Sequence, residues 1–181
     1  QPTDFSEARA MAEALKGCRR LVAVEYNAFS PNWNQPVVHE NDVILRIARI
    51  LNAHSGHPII LKLHRGHDYL EIARSVEGVV EAISLNAVPA KVFFPGMESP
   101  LAKLGGGSAS GLVAQPFNWQ MISKIKEATR TPVIGSGIWF YEDLYKLREL
   151  GAAAFSFGSL SLLSPRLPTK FVTRWRKGGV R

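Results

Sequence analysis

The segment 131–159 constrains the fold more than any other, because it contains two short apolar strands separated by one helix. Its pattern predicts a strand at 131–134, a Gly-Ser-Gly turn, a helix at 141–150 and a second strand at 153–157. Both strands end in small residues at the same edge, where bare backbone N–H groups and the positive end of a following helix favour an anion. The segment therefore predicts a phosphate-binding cup, with ordinary glycine turns as the alternative, because Gly-x-Gly alone is a weak signal.

The rest of the chain repeats this alternation of strand and helix. Asp4 and Glu7 have the spacing of a capping box at the start of the first helix. A long loop is predicted at 87–115. The predicted helices are 4–16, 41–53, 68–76, 117–129 and 169–177, and the remaining strands are 21–26, 59–63 and 79–85. Strict alternation of strand and helix predicts an α/β fold with a parallel sheet.

The number of strands leaves two architectures open. A complete (β/α)8 barrel needs eight units and about 250 residues, whereas this chain of 181 residues supplies five strands and begins on a helix. An open flavodoxin-like sheet is the alternative, although its phosphate loop usually follows the first strand. Here the predicted phosphate-binding segment, 131–159, lies near the end of the sequence. This position favours part of a barrel, because the phosphate site of a barrel commonly follows its last two strands.

Composition narrows the class of protein. The length fits one domain, and no apolar run approaches the roughly 20 residues that span a bilayer. The single cysteine, Cys18, rules out an internal disulfide framework and suits a reducing compartment, so we expect a cytoplasmic location. The net charge of +7 is partly concentrated in the tail at 170–181. We interpret it mainly as a solvated surface, with RNA binding as the alternative.

Polar and small residues follow several of the predicted strands. In a parallel α/β sheet these ends share one edge, where ligands bind. Lys62 in a buried strand is costly unless it meets an anion. The alternative to a ligand site is that the asparagine side chains stabilise turns and the Lys62 ammonium extends into solvent. The strand-end set is Asn27, Ser30, Asn32, Lys62, Asn86, Ser110, Gly111, Gly137, Gly158 and Ser159.

The order of these motifs resembles the C-terminal part of the dihydroorotate dehydrogenases, which are FMN-dependent (β/α)8 barrels. The matching motifs are Asn27-Ala-Phe-Ser-Pro-Asn32, Ile60-Leu-Lys62, Leu85-Asn86-Ala87-Val88, Ser110-Gly111, Ile134-Gly-Ser-Gly137 and Phe157-Gly-Ser159. The resemblance implies a partial TIM barrel made of the last five βα units, strands 4–8. It implies that residues 1–181 form one domain whose N-terminal units are missing, so that further residues or another chain complete the barrel. It also implies a homodimer.

The resemblance implies oxidation of dihydroorotate to orotate, in pyrimidine biosynthesis, by hydride transfer to FMN. Ser30 falls on the catalytic base that takes the C5 proton, a role in which a hydroxyl needs a relay. Lys62 falls on the lysine that contacts the flavin ring and stabilises negative charge on it. The substrate contacts implied are Asn27, Asn32, Asn86 and Ala87. The remaining cofactor contacts implied are Ser110, Gly111, Gly135, Gly137, Gly158 and Ser159, and no metal site is predicted.

Several departures from the family pattern leave alternatives open. Ala87 stands where a hydroxyl residue is usual, and Ile138 replaces a second glycine, where it could crowd the phosphate. A tRNA-dihydrouridine synthase is one alternative, but Ser30 occupies the position where its acid would be a cysteine. A catalytically degenerate flavin-barrel fragment that serves as a binding module is the other.

Overall fold

The computed structural model describes residues 2, 4–28, 41–85, 87–104 and 106–178, and a parallel sheet of five strands forms its centre. The strand order is β1-β2-β3-β6-β7. The sheet strands are β1 (Val24–Asn27), β2 (Ile59–Leu63), β3 (Ala82–Leu85), β6 (Val133–Gly135) and β7 (Ala154–Phe155). The predicted parallel α/β architecture is confirmed, and β2 has the predicted bounds.

Helices follow the strands as the alternation predicted. The first begins at Asp4, whose Oδ1 accepts a hydrogen bond from the Glu7 N–H at 2.8 Å, so the predicted cap is confirmed. The helices are α1 (Phe5–Lys16), α2 (Asn41–Ser55), α3 (Tyr69–Ser75), α4 (Ala90–Phe93), α5 (Gln115–Ala128), α6 (Asp143–Glu149), α7 (Ser159–Leu163) and α8 (Leu167–Gly178). Two further 3-10 turns lie at Ala102–Leu104 and Leu112–Ala114.

The two faces of the sheet have different environments. One face packs against helices, and its strand residues, such as Leu61, Ile83 and Val133, are fully buried. The opposite face carries Glu25 and Ala154, which are both exposed. Within the described part of the chain, β1 and β7 each pair with one strand only, so the sheet does not close. An open sheet with one partly exposed face is the arrangement expected of part of a barrel.

The predicted loop 87–115 contains regular structure that the sequence did not indicate. An antiparallel pair joins β4 (Val88–Pro89) to β5 (Ser108–Ala109). The Ala90 N–H donates to the Gly107 carbonyl at 3.1 Å, and Gly107 has a φ of 71°. Strands of two residues are too short to show an alternating pattern, which is why the sequence predicted only a loop.

Strand β6 begins two residues later than predicted because its expected first residue belongs to a polar network. Thr131 Oγ1 lies 3.1 Å from Thr129 Oγ1, which donates to Glu77 Oε2 at 2.6 Å. Glu77 also accepts from the backbone N–H and the Nε–H of Arg130, at 3.2 Å each. The network joins the turn after α3 to the segment between α5 and β6.

Stability at acid pH is expected to depend on Glu77. The hydrogen bond from Thr129, followed by those from Arg130, lowers the pKa of this carboxyl below its ordinary value of 4.5. A lowered pKa in the folded state stabilises the protein above pH 4.5, and this contribution is lost as the pH falls through the folded value. Urea midpoints for wild type and Glu77→Gln should therefore differ at pH 7 and converge once the pH falls below the lowered pKa of Glu77. A difference that stays constant with pH would contradict the assignment.

Candidate functional site

A cavity of about 380 Å³ lies at the carboxyl-terminal edge of the sheet. This volume is within the usual range for small-molecule sites. Lys62 of β2 and the segments after β3, β5, β6 and β7 line it. The predicted site residues that line it are Lys62, Ala87, Ser110, Gly111, Gly137, Gly158 and Ser159. Residues up to 97 positions apart in the sequence thus reach one site.

Glycine conformations shape the wall of this cavity. Gly111 and Gly137 have φ values of 88° and 79°, which strain other residues. A Cβ on Gly111 would lie 3.0 Å from the Trp139 ring, and a Cβ on Gly137 would lie 3.2 Å from Gln115 Cα. A Cβ on Gly158 would meet nothing within 4 Å, so that wall is open.

Gly135 is placed differently from the other predicted cofactor residues. It does not line the cavity, and a Cβ there would lie 3.0 Å from side-chain atoms of Leu147 and Ala152. Its small size therefore permits close packing of α6 on the sheet.

One carboxylate holds the loop between β6 and α6. Asp143 Oδ2 accepts from the backbone N–H groups of Trp139 and Phe140 at 2.8 and 2.9 Å. It also accepts from Gln115 Nε2 at 3.0 Å, and the same amide donates to the Gly137 carbonyl at 2.7 Å. Asp143 is only 9% exposed, so these bonds are largely shielded from water. The sequence analysis missed Asp143 and Gln115, because side-chain clamps of this kind have no fixed spacing.

Several backbone donors remain available at the cavity. No backbone hydrogen bond within the described residues uses the N–H groups of Gly137, Ile138, Gly158 or Ser159. All four residues line the cavity. The Ile138 side chain is 3% exposed and belongs to the hydrophobic core, although the residue also lines the cavity. Backbone N–H groups without partners are suited to bind an anion.

The anion that Lys62 meets is within the same chain. Its ammonium forms an ion pair with Glu25 Oε1, and Glu25 Oε2 accepts a hydrogen bond from Ser84 Oγ at 2.9 Å. The carboxylate of β1 thereby bridges side chains of β2 and β3. The sequence analysis missed Glu25, although its position two residues before Asn27 places both on the same face of β1.

The remaining predicted residues divide into two groups. Asn27 ends β1 and is the register partner of Lys62 in β2. Ser30, Asn32 and Asn86 lie outside the described residues. Ser159 Oγ donates to Ser110 Oγ at 3.0 Å, so the two predicted serines meet.

The described residues contain neither a membrane-spanning helix nor a cluster of metal ligands. No helix among them has the length and apolarity that crossing a membrane requires. In the same ranges, no three His, Cys, Asp or Glu side chains group as metal ligands would.

Comparison with known proteins identifies the relatives of this chain. No protein-family model matches it. A putative dihydroorotate dehydrogenase A (fumarate) from Pediococcus pentosaceus is 28% identical over 176 residues, which cover 91% of this chain and 56% of the relative. The catalytic subunit of a dihydroorotate dehydrogenase B (NAD(+)) from Listeria monocytogenes is 24% identical over 166 residues, covering 88% and 55%. The resemblance to dihydroorotate dehydrogenases is confirmed.

Solved structures show the same relationship at the level of the fold. Ligand-free dihydroorotate dehydrogenase from Eimeria tenella matches 97% of this chain and 57% of its own, with a TM-score of 0.69 and 15% identity. A tryptophan synthase alpha-subunit from Pyrococcus furiosus matches 94% and 59%, with a TM-score of 0.51. The chain spans about half the length of the curated dihydroorotate dehydrogenases that it matches. It has the fold of about half of a TIM barrel.

Proposed function

We propose that this chain is the flavin-binding part of an oxidoreductase that resembles dihydroorotate dehydrogenase and oxidises dihydroorotate to orotate. The observation that carries the proposal is the meeting of Lys62, Gly111, Gly137 and Ser159 at one cavity. These residues come from separate segments of the chain, and the resemblance implies a cofactor contact for each of them.

The residues present fit FMN as the cofactor. The N–H groups of Gly137, Ile138, Gly158 and Ser159, which no backbone hydrogen bond in the described part of the chain uses, would hold the phosphate, and Lys62 would contact the ring. The Asp143 clamp fixes the loop that carries the first two donors, so their positions need little rearrangement on binding. When bound, FMN supplies the two-electron acceptor for the oxidation.

The chain's own residues would handle the substrate. Asn27, Asn32 and Asn86 offer amide donors and acceptors that suit the amide and carboxylate groups of dihydroorotate. Ser30 would take the C5 proton through a hydrogen-bonded relay, because a free hydroxyl is a weak base. Ala87 offers no hydroxyl, so the asparagines carry the recognition.

The active unit that we propose is larger than these residues. The exposed inner face and the two open edges of the sheet support completion of the barrel by three further βα units, from additional residues or another chain. Two copies of this chain would bring ten strands, two more than the barrel holds, so a homodimer would pair complete barrels. The exposed thiol of Cys18 supports a reducing compartment such as the cytoplasm.

A visible spectrum of the protein tests the proposal. A bound flavin should give its absorption peak, and anaerobic dihydroorotate should bleach that peak. A peak that dihydroorotate leaves unchanged would point to a relative such as a tRNA-dihydrouridine synthase. No peak after incubation with FMN would point to a binding module and reject the proposal.

Replacing Gly158 by leucine should block FMN without harming the fold. The new side chain would enter open space at a residue that lines the cavity, so we expect FMN affinity to fall at least about tenfold, or 1.4 kcal/mol. Gly17→Leu is the matched control, because a Cβ there also meets nothing within 4 Å and the residue lies at the end of α1. Titration by flavin fluorescence measures both. Equal affinities in the two variants would reject this position for the cofactor.

A further inference from the structure

The inner face of the sheet carries a polar bridge that no implied role accounts for. In the register of the sheet, Asn27, Lys62 and Ser84 lie side by side in one row across β1, β2 and β3. Glu25 lies two residues earlier on β1, one row further from the cavity. Its side chain reaches up to this row and contacts Lys62 through one oxygen and Ser84 through the other.

We infer that Glu25 is a positioning residue, anchored by Ser84, which holds the Lys62 ammonium at the floor of the cavity and offsets its charge. A lysine side chain is a flexible stem with a point charge, so an unpaired ammonium would occupy many positions. Ser84 is 4% exposed, and its hydroxyl fixes one carboxylate oxygen and thereby aims the other at Lys62. Lys62 lines the cavity, whereas Glu25 does not.

The pairing of Glu25 with Lys62 changes the net charge that the site presents to bound FMN. This consequence rests on the proposed function. Lys62 alone would present one positive charge, which favours the anionic reduced flavin over the neutral oxidised form. With Glu25 beside it, the pair is close to neutral as a unit, so this preference is reduced. Glu25 thus moderates how strongly the site favours reduced FMN.

The first test needs no cofactor. The full chain is treated with limiting acetic anhydride, and acetylation of each lysine is followed by peptide mass spectrometry. We expect Lys62 to react several-fold faster in Glu25→Gln than in wild type, relative to the exposed Lys170 in each sample. Glu81→Gln, which removes one exposed carboxylate just before β3, is the charge-matched control and should leave the Lys62 rate unchanged. An unchanged rate in Glu25→Gln would overturn the inference.

The second test measures the midpoint potential of bound FMN. In Glu25→Gln, the ratio of oxidised to reduced FMN dissociation constants should rise about tenfold, a positive shift of about 30 mV for a two-electron couple. Ser84→Ala should shift the potential in the same direction by less, and Glu25→Asp, which keeps the charge, should stay near wild type. Equal shifts in Glu25→Gln and Glu25→Asp would indicate a structural effect and overturn the inference, as would no shift in either.

The two tests separate this inference from the proposed function. Failure of the wild-type protein to bind FMN would reject the proposed function, and the acetylation test would then decide alone whether Glu25 positions Lys62. Binding of FMN with an unchanged potential in Glu25→Gln would reject the role of Glu25 and leave the flavin site standing. Circular dichroism of each variant confirms that it is folded before either measurement.

Discussion

Replacing Asp143 by alanine is expected to lower the free energy of unfolding by about 3 kcal/mol, because three donors lose a shielded charged acceptor. For a chain of this size, that loss corresponds to a fall of roughly 6–12 °C in the melting temperature. FMN affinity should fall as well, because the carboxylate holds the loop that carries Gly137. Thermal unfolding followed by circular dichroism and flavin titration measure the two effects.

Two further variants sharpen this prediction. Asp143→Asn keeps one oxygen that can accept from Trp139 and Phe140, so it should lose less than half as much stability as Asp143→Ala. Asp42→Ala removes an exposed acid from the first turn of α2 and should cost less than about 1 kcal/mol. If Asp143→Ala were no more damaging than Asp42→Ala, the Asp143 clamp would not hold the loop.

Replacing Ser30 by alanine is expected to slow the reduction of bound FMN by dihydroorotate about 100- to 10,000-fold, the usual range for loss of a general base. FMN binding itself should be nearly unchanged, because the implied role of Ser30 concerns the substrate proton only. Anaerobic stopped-flow absorbance at the flavin peak measures the rate directly. This prediction rests on the Asn-Ala-Phe-Ser-Pro-Asn motif at 27–32.

The matching variant is Ser30→Cys, which places a thiol where the hydroxyl was. A thiol can take the C5 proton once it is ionised, so this variant should restore much of the rate and move its pH dependence towards the pKa of a thiol. Ser123→Ala on α5 is the control for loss of a hydroxyl elsewhere. A wild-type rate in Ser30→Ala would remove the serine from the proton transfer.

The sequence predicted the parts of the fold that repeat. Largely apolar segments such as Ile59–Leu63 predicted buried parallel strands, and the alternation of strand and helix predicted helices such as α2 and α5. Patterns of this kind extend over several residues and are set by burial, so they can be read without coordinates. The pair of two-residue strands β4 and β5 offers no such pattern and was predicted as loop.

The candidate site also contains residues that the sequence predicted and residues that it did not. Lys62 and Gly137 could be predicted because each lies near the end of a strand, and parallel strand ends share one edge of a sheet. Gly111 could be predicted only from the resemblance of Ser110-Gly111 to the family's loop. The partners of these residues could not be predicted. Glu25 meets Lys62 across 37 positions, and Asp143 meets Gln115 across 28, distances over which a sequence carries no contact signal.

Sequence patterns located the five strands of the parallel sheet and the longer helices, and therefore predicted which residues reach the carboxyl edge of the sheet. Local burial patterns and the geometry of parallel strands are sufficient for that. The folded chain was needed to show that Ile138 packs into the core, that Gly135 faces α6, and that Lys62 is paired with Glu25. These contacts join side chains that lie far apart in the sequence and meet only when the chain folds, so no local sequence pattern encodes them.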